Sequence, residues 1–124
     1  MLSSFGDQFG LDRALALRVA GAFGGGMARM GETCGAVTGA LMVIGLKYGM
    51  TQAKDEAARE KTYKLVQEFA TRFKARHHSM VCRELLGYDL SKPEERKAAL
   101  EKGLFTTLCP QFVRDAVEIV EQLL

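Results

Sequence analysis

An uncharged apolar segment, Thr33 to Leu46, dominates the first half of the chain. It contains three glycines and is about fourteen residues long, shorter than the roughly 20 residues that a membrane-spanning helix needs. A stretch with no charge and little polar surface avoids water, so it is expected inside the protein. The sequence therefore predicts a buried core helix from about Glu32 to Lys47, and no membrane span.

The rest of the composition is arranged around this segment. Eleven of the 13 glycines fall at or before Gly49, whereas residues 1–50 carry only seven charged side chains and residues 51–124 carry 25. The first part is therefore expected to be packed inside, and the second to form amphipathic helices that face water. We predict one domain, residues 1–124, a single cysteine-containing helical domain. The net charge of +2 gives no electrostatic case for nucleic-acid binding.

Helical periodicity recurs along the chain, and no segment shows convincing strand alternation. Apolar residues at every fourth position predict a first amphipathic helix, which starts near Asp12 and ends at the Gly24–Gly26 run. These apolar residues are Leu11, Leu15, Val19 and Phe23.

Three more helices are predicted in the second half. One fills about 52–77, one starts at a capping box formed by Ser91 and Glu94 and ends near Gly103, and the last starts at Pro110. The predicted class is all-α: a small bundle of about five helices with a glycine-rich buried central helix.

The three cysteines all lie where helices are predicted to begin. Cys34 falls in the first turn of the glycine-rich helix, and Cys82 opens a short Cys-Arg-Glu-Leu-Leu segment with Ser79 as its cap. Cys109 precedes Pro110 and is the expected N-cap of the last helix. Helix N-termini favour thiolates, the form that binds metals and attacks disulfides. The alternative is that each cysteine is a small buried apolar residue, and the spacing matches no zinc-ribbon or C-x-x-C motif.

Two further features are compatible with a cofactor. Gly31, Gly35 and Gly39 recur every fourth residue, which indicates either close helix packing, within the bundle or in a homodimer, or a cofactor groove beside Cys34 that involves Gly35 and Gly39. His77 and His78 end the long helix, where the helix dipole stabilises them, and their closeness to Cys82 in sequence also makes a metal-ligand role possible for His77 or His78.

The Gly24-Gly25-Gly26 run has two interpretations. A reversal of the chain direction explains three consecutive glycines most simply. With Arg29 nearby, the run is also compatible with an anion-binding nest of backbone N–H groups.

Three blocks of sequence resemble one family. Cys34-Gly35-Ala36-Val37-Thr38-Gly39, preceded by Phe23-Gly24-Gly25-Gly26-Met27, is similar to the CGAxxG signature of the C-GCAxxG-C-C family of redox-active proteins. The blocks Cys82 to Gly87 and Cys109-Pro110 also match its pattern, so the resemblance spans about residues 2 to 120. It implies a small helical protein with a cysteine-based redox or metal function.

The family pattern has four cysteines, and this chain has three. The resemblance implies that the first cysteine precedes the position of Met1, in a first helix of which this chain lacks the N-terminal part. We therefore expect the natural start to lie upstream.

Three hypotheses follow from these residues. The first is a site in which Cys34, Cys82 and Cys109 hold an iron–sulfur cluster or another soft metal, with zinc or no cofactor as alternatives. The second is a thiol–disulfide pair formed by Cys82 and Cys109, whose Cα atoms then lie within about 7 Å. The third is a non-catalytic helical module that dimerises. A homodimer, an electron-transfer partner and a cytoplasmic location, where free thiols stay reduced, complete the prediction.

Overall fold

A computed structural model describes residues 1–124. Nine helical segments follow one another along the chain, with a 3₁₀ turn (Asp7–Phe9) after the first. They are α1 (Leu2–Gly6), α2 (Arg13–Ala20), α3 (Gly24–Met27), α4 (Gly35–Tyr48), α5 (Glu56–His77), α6 (Cys82–Leu86), α7 (Pro93–Glu101), α8 (Leu104–Thr107) and α9 (Cys109–Leu123).

The predicted all-α bundle is confirmed. Five of the helices, α2, α4, α5, α7 and α9, have eight or more residues, and they correspond to the five that the periodicity predicts. No strand forms, and the only extended pairing is an isolated bridge between Thr33 and Val81. None of the helices combines the length and the apolar character that crossing a bilayer requires.

The core lies where α4, α5 and α9 pack against one another, and α1 covers a further side of α4. Ile44 of α4, Phe69 and Phe73 of α5 and Ile119 of α9 are completely buried there. The one buried polar side chain, Thr38, donates its hydroxyl to Gly35 O at 3.2 Å. The glycine-rich helix is therefore central, as predicted.

One helix start follows the sequence, and another does not. Asp12 accepts a hydrogen bond from Leu15 N at 3.1 Å, and so it caps α2 as expected. The predicted capping box of Ser91 and Glu94 is wrong. Helix α7 begins at Pro93, and its N-cap is Lys92 rather than Ser91. The Ser91 hydroxyl donates to Asp89 Oδ1, at 2.6 Å, and no side chain caps α7.

The predicted apolar face of α2 is also wrong. Leu15 and Val19 are 47% and 51% exposed, and the buried residue of this helix is Ala16. The reason is packing, since α2 lies mainly against α1 and a small side chain lets the two helices approach closely. Regular spacing of apolar residues identified the helix but not the side that turns inward.

The loop after α2 forms a left-handed helical turn. Five consecutive residues have positive φ angles: Gly25 (70°), Gly26 (69°), Met27 (64°), Ala28 (53°) and Arg29 (66°). Glycine adopts this conformation freely, but each residue with a Cβ pays about 1–2 kcal/mol for it. The Gly24–Gly26 run therefore opens a left-handed turn, which extends across three residues that disfavour it.

Replacing Ala28 by glycine should stabilise the protein. Relief of the left-handed conformation outweighs the extra entropy of an unfolded glycine, for a net gain of about 0.5–1 kcal/mol in the free energy of unfolding. Urea denaturation measures it. The matched control is Ala75→Gly, in the right-handed helix α5 and exposed, which should lose up to about 1 kcal/mol. Loss of stability in both variants would contradict the left-handed turn.

Candidate thiol site

Two of the three cysteines flank the same backbone pairing. Cys34 directly follows Thr33, and Cys82 directly follows Val81, its partner in the antiparallel bridge. The backbone N–H of each cysteine donates to a carbonyl across the bridge, at 2.8 Å for Cys34 and 2.6 Å for Cys82. This register makes the two cysteines diagonal neighbours, a spacing of about 7–8 Å in antiparallel pairs. Sequence analysis missed the bridge, since a single pair of residues leaves no alternating pattern.

The left-handed turn packs directly on Cys82. A Cβ atom added to Gly26 would lie 2.6 Å from the Cys82 Cβ and 2.8 Å from Glu32 N. Only a glycine fits there, and its φ of 69° also requires one. The glycine run is therefore part of the wall of the thiol site, a role that its sequence did not reveal.

Cys109 reaches the site from the other end of the chain. It is the first residue of α9, and Leu108 precedes it as N-cap, so the expectation that Cys109 itself is the N-cap is wrong. The physical reason is that Leu108 already has helical φ and ψ angles, which continue from α8. Cys34, by contrast, is the N-cap of α4, and Cys82 is the first residue of α6. All three thiols stand at helix starts, as predicted.

The expected thiolates do not form at these helix starts. Burial raises the pKa of all three thiols, and it is the largest influence on each. For Cys34, hydrogen bonds from the backbone of Ala36 and Val37 lower the pKa, which is the predicted helix-end effect, but burial outweighs them. Burial, together with the charges of Cys34, Cys109 and Asp89, raises the pKa of Cys82 to about 11. The free thiols are therefore protonated at neutral pH.

Cys34 also acts on the pKa of both other thiols, and Cys109 acts on that of Cys82. After burial, the next influence on the pKa of Cys82 is the charge of Cys34, followed by that of Cys109, and Cys34 in turn raises the pKa of Cys109. Like charges disfavour ionisation only when they lie within reach of each other. The fold thus gathers three cysteines that are far apart in sequence into one electrostatic cluster. All three are unbonded thiols.

The two histidines play different structural roles. His77 Nε2 lies 2.8 Å from Asp115 Oδ2, and its ring packs between Phe73 and Phe112, with centroids 4.9 and 5.0 Å away. His78 is exposed and ends α5 with a φ of 68°. No group of three or more His, Cys, Asp and Glu side chains is close enough to hold a metal ion.

The three glycines of the predicted groove do not all lie on one helix. Gly31 is not helical, because α4 begins at Gly35, and it has a φ of 69° in the preceding loop. Gly39 is buried against Met1, whose Cβ would lie 3.3 Å from an added side-chain carbon. Gly35 and Gly39 do line one small cavity, of about 220 Å³, together with residues of α1, α2 and α9.

Comparison with known proteins identifies the family. The model of the family described as "Putative redox-active protein (C_GCAxxG_C_C)" matches residues 1–123, so the chain belongs to this family. The resemblance that the cysteine blocks suggested is confirmed. No curated protein and no solved structure matches the chain significantly.

Gly26→Ala should severely destabilise the protein. The added carbon meets Cys82 and a backbone nitrogen and is held at positive φ, so we expect a loss of about 3–5 kcal/mol in the free energy of unfolding. The matched control is Gly87→Ala, which has a φ of 74° and open space around the added carbon, and should lose only about 1–2 kcal/mol. Equal losses, measured by urea denaturation, would show that Gly26 does not touch Cys82.

The stability of the metal-free protein should fall in alkaline solution. A thiol whose pKa is raised in the folded state stabilises the fold while it is protonated. This contribution is complete below the pKa of the thiol in the unfolded chain, and it is lost as the pH rises through the pKa of the thiol in the folded protein. For Cys82 that window runs from about pH 9 to about pH 11. Urea denaturation across it should show a smaller decline in Cys82→Ser than in the unmodified protein. Parallel declines would contradict the shift.

Proposed function

We propose that this member of the redox-active family uses Cys34, Cys82 and Cys109 together to hold an iron–sulfur cluster or another soft metal ion. The observation that carries the proposal is the bridge register that makes Cys34 and Cys82 diagonal neighbours, with Cys109 near enough for its charge to raise the pKa of Cys82. A cluster of this kind resists ionisation while it is empty of cations. A soft cation removes that resistance, because it binds thiolates and displaces their protons.

The donor set fits such a group in chemical type. In the described fold the three thiols are not close enough to share an ion, so the proposal includes their approach on binding. Thiol ligands select iron–sulfur clusters, zinc or Cu(I) over hard cations. Iron–sulfur clusters take four ligands, so a residue beyond the three cysteines completes the set. Of the two histidines His78 is the freer, since His77 Nε2 faces Asp115. An electron-transfer partner and a cytoplasmic location are part of the same proposal.

The test is an absorption spectrum of protein purified without oxygen, with iron, sulfide and zinc assayed on the same sample. We expect visible absorption with matching iron and sulfide, or stoichiometric zinc. Replacing each cysteine in turn by serine should remove most of the bound metal. Met80→Leu is the matched control, because it removes a sulfur close to the bridge without removing a thiol.

Two outcomes would overturn the proposal. One is the absence of iron, zinc and copper from every anaerobic preparation. The other is retention of full metal content by all three serine variants, provided that circular dichroism shows them folded.

A thiol–disulfide function is the second candidate, and the electrostatic link between Cys109 and Cys82 favours it. In such a protein the mild oxidant diamide removes two hydrogens from one pair of thiols and forms a disulfide within the chain. Peptide mapping of metal-free protein then identifies the pair. A Cys82–Cys109 link supports this candidate as predicted, whereas a Cys34–Cys82 link supports it with the pair that flanks the bridge.

A homodimer is the third candidate. Gly39 is already covered by Met1, so the glycine face of α4 is used at least in part within the chain. The exposed apolar residues of α2, Leu15, Leu17 and Val19, offer a different surface for a second copy. Sedimentation of the protein and of its triple cysteine-to-serine variant distinguishes a module whose assembly is independent of the thiols.

A further inference from the structure

A groove of about 840 Å³ lies beside the left-handed turn, and Cys82 is not part of its lining. Its size is that of sites for small organic molecules, which span about 300–1,000 Å³. The turn forms one wall, and Leu90, α7 and Phe105 form the rest. The lining residues are Gly21, Ala22, Gly24, Gly25, Ala28, Arg29, Leu90, Pro93, Arg96, Lys97, Leu100 and Phe105.

The charges in this groove have a single sign. Arg29, Arg96 and Lys97 line it, and no acidic residue does. None of the three makes an ion pair. Unpaired cations of one sign, gathered around a concavity, attract an anion and raise its local concentration.

The remaining lining is apolar. Leu90, Pro93, Leu100 and Phe105 contribute to it, and Leu100 is 64% exposed, the most exposed of the large hydrophobic side chains. An apolar patch rimmed by charged residues is typical of a binding surface. The groove therefore offers contacts to both a charged head and an apolar body.

Backbone strain is concentrated at the same place. Ala28 and Arg29 line the groove with φ angles of 53° and 66°. A Cβ on Gly25 would lie 3.0 Å from Arg29 Cγ, so the turn holds the stem of this side chain in place. Strain that the fold could relieve with glycine is typical of positions that serve a function.

We propose that this groove binds a small organic anion with an aromatic or other apolar body. The three cations receive a carboxylate, sulfonate or phosphate group, and the apolar residues receive the body. The proposal goes beyond the thiol function and does not depend on it. The left-handed turn separates the two sites, since Gly26 contacts Cys82 while Gly25 and Arg29 line the groove.

The test uses the fluorescent anion 1-anilinonaphthalene-8-sulfonate, titrated into the folded protein. The uncharged N-phenyl-1-naphthylamine serves as the comparison, because it has the apolar body without the charge. We expect saturable binding of the sulfonate at one site, and weaker binding of the neutral dye. Equal affinity for both dyes would overturn the role of the cations.

Charge-removing variants locate the site. Arg96→Gln with Lys97→Gln should weaken sulfonate binding about tenfold, as expected for the loss of two charge contacts at the surface. The matched control removes two exposed, unpaired charges elsewhere, Lys54→Gln with Lys64→Gln, and should leave binding unchanged. The same affinity in both double variants would overturn the proposal. Circular dichroism checks that each variant is folded.

Arg29→Gly separates binding from stability. The variant should denature at a higher temperature, because glycine relieves the positive φ, and yet bind the sulfonate more weakly. A merely structural role for Arg29 predicts higher stability with unchanged binding, and that result would overturn its place in the site.

Competition at constant ionic strength then identifies the head group. Displacement of the dye by benzoate or by phenyl phosphate supports the proposal and distinguishes a carboxylate from a phosphate. Displacement by inorganic phosphate as effective as by phenyl phosphate would show an anion site without an apolar requirement, and so would overturn the assigned ligand class.

Discussion

Helix α4 has no charged side chain between Gly35 and Leu46, and half of its residues are buried. Helices α5 and α9 supply most of the cover, and α1 supplies another side. Polar contacts line the outer seam between α5 and α9. Arg76 Nη1 lies 2.6 Å from Glu118 Oε2, and His77 lies against Asp115. Because Cys34 is the N-cap of α4, its thiol is fixed by the same packing that encloses the helix.

Burial and the helix starts have opposite effects on the pKa of the thiols, and burial has the larger effect. A helix start favours a thiolate by a fraction of a kcal/mol to about 1 kcal/mol, whereas burial of a charge costs several. The raised pKa values follow from this inequality. Protonated thiols are poor nucleophiles, so a free-thiol chemistry would work against the fold at this site. A bound soft cation would remove this conflict, since its positive charge neutralises the thiolate charges that burial and mutual repulsion penalise.

The sequence predicts those features that depend on local chemistry. The five longer helices and the cap of α2 at Asp12 are set by side chains within one or two turns, and α9 begins one residue before the predicted Pro110. Prediction from the sequence is wrong where tertiary packing determines which face of a helix is buried. In α2, Leu15 and Val19 face outward although their spacing is regular. The sequence predicts that the thiols lie at helix starts, but it does not predict their protonation state. Burial sets that state, and burial depends on segments that are far apart in sequence.

The left-handed turn lies beyond local prediction for a different reason. Met27, Ala28 and Arg29 each disfavour the conformation that they adopt, so local preferences point away from it. The turn persists because its surroundings hold it: Glu32 N donates to Gly26 O at 2.9 Å, and Arg83 N donates to Gly31 O at 3.2 Å. These bonds connect the turn to the bridge beside Cys34 and Cys82. The same strained backbone thus forms a wall of the thiol site on one side and of the basic groove on the other, and a change in its conformation would alter both.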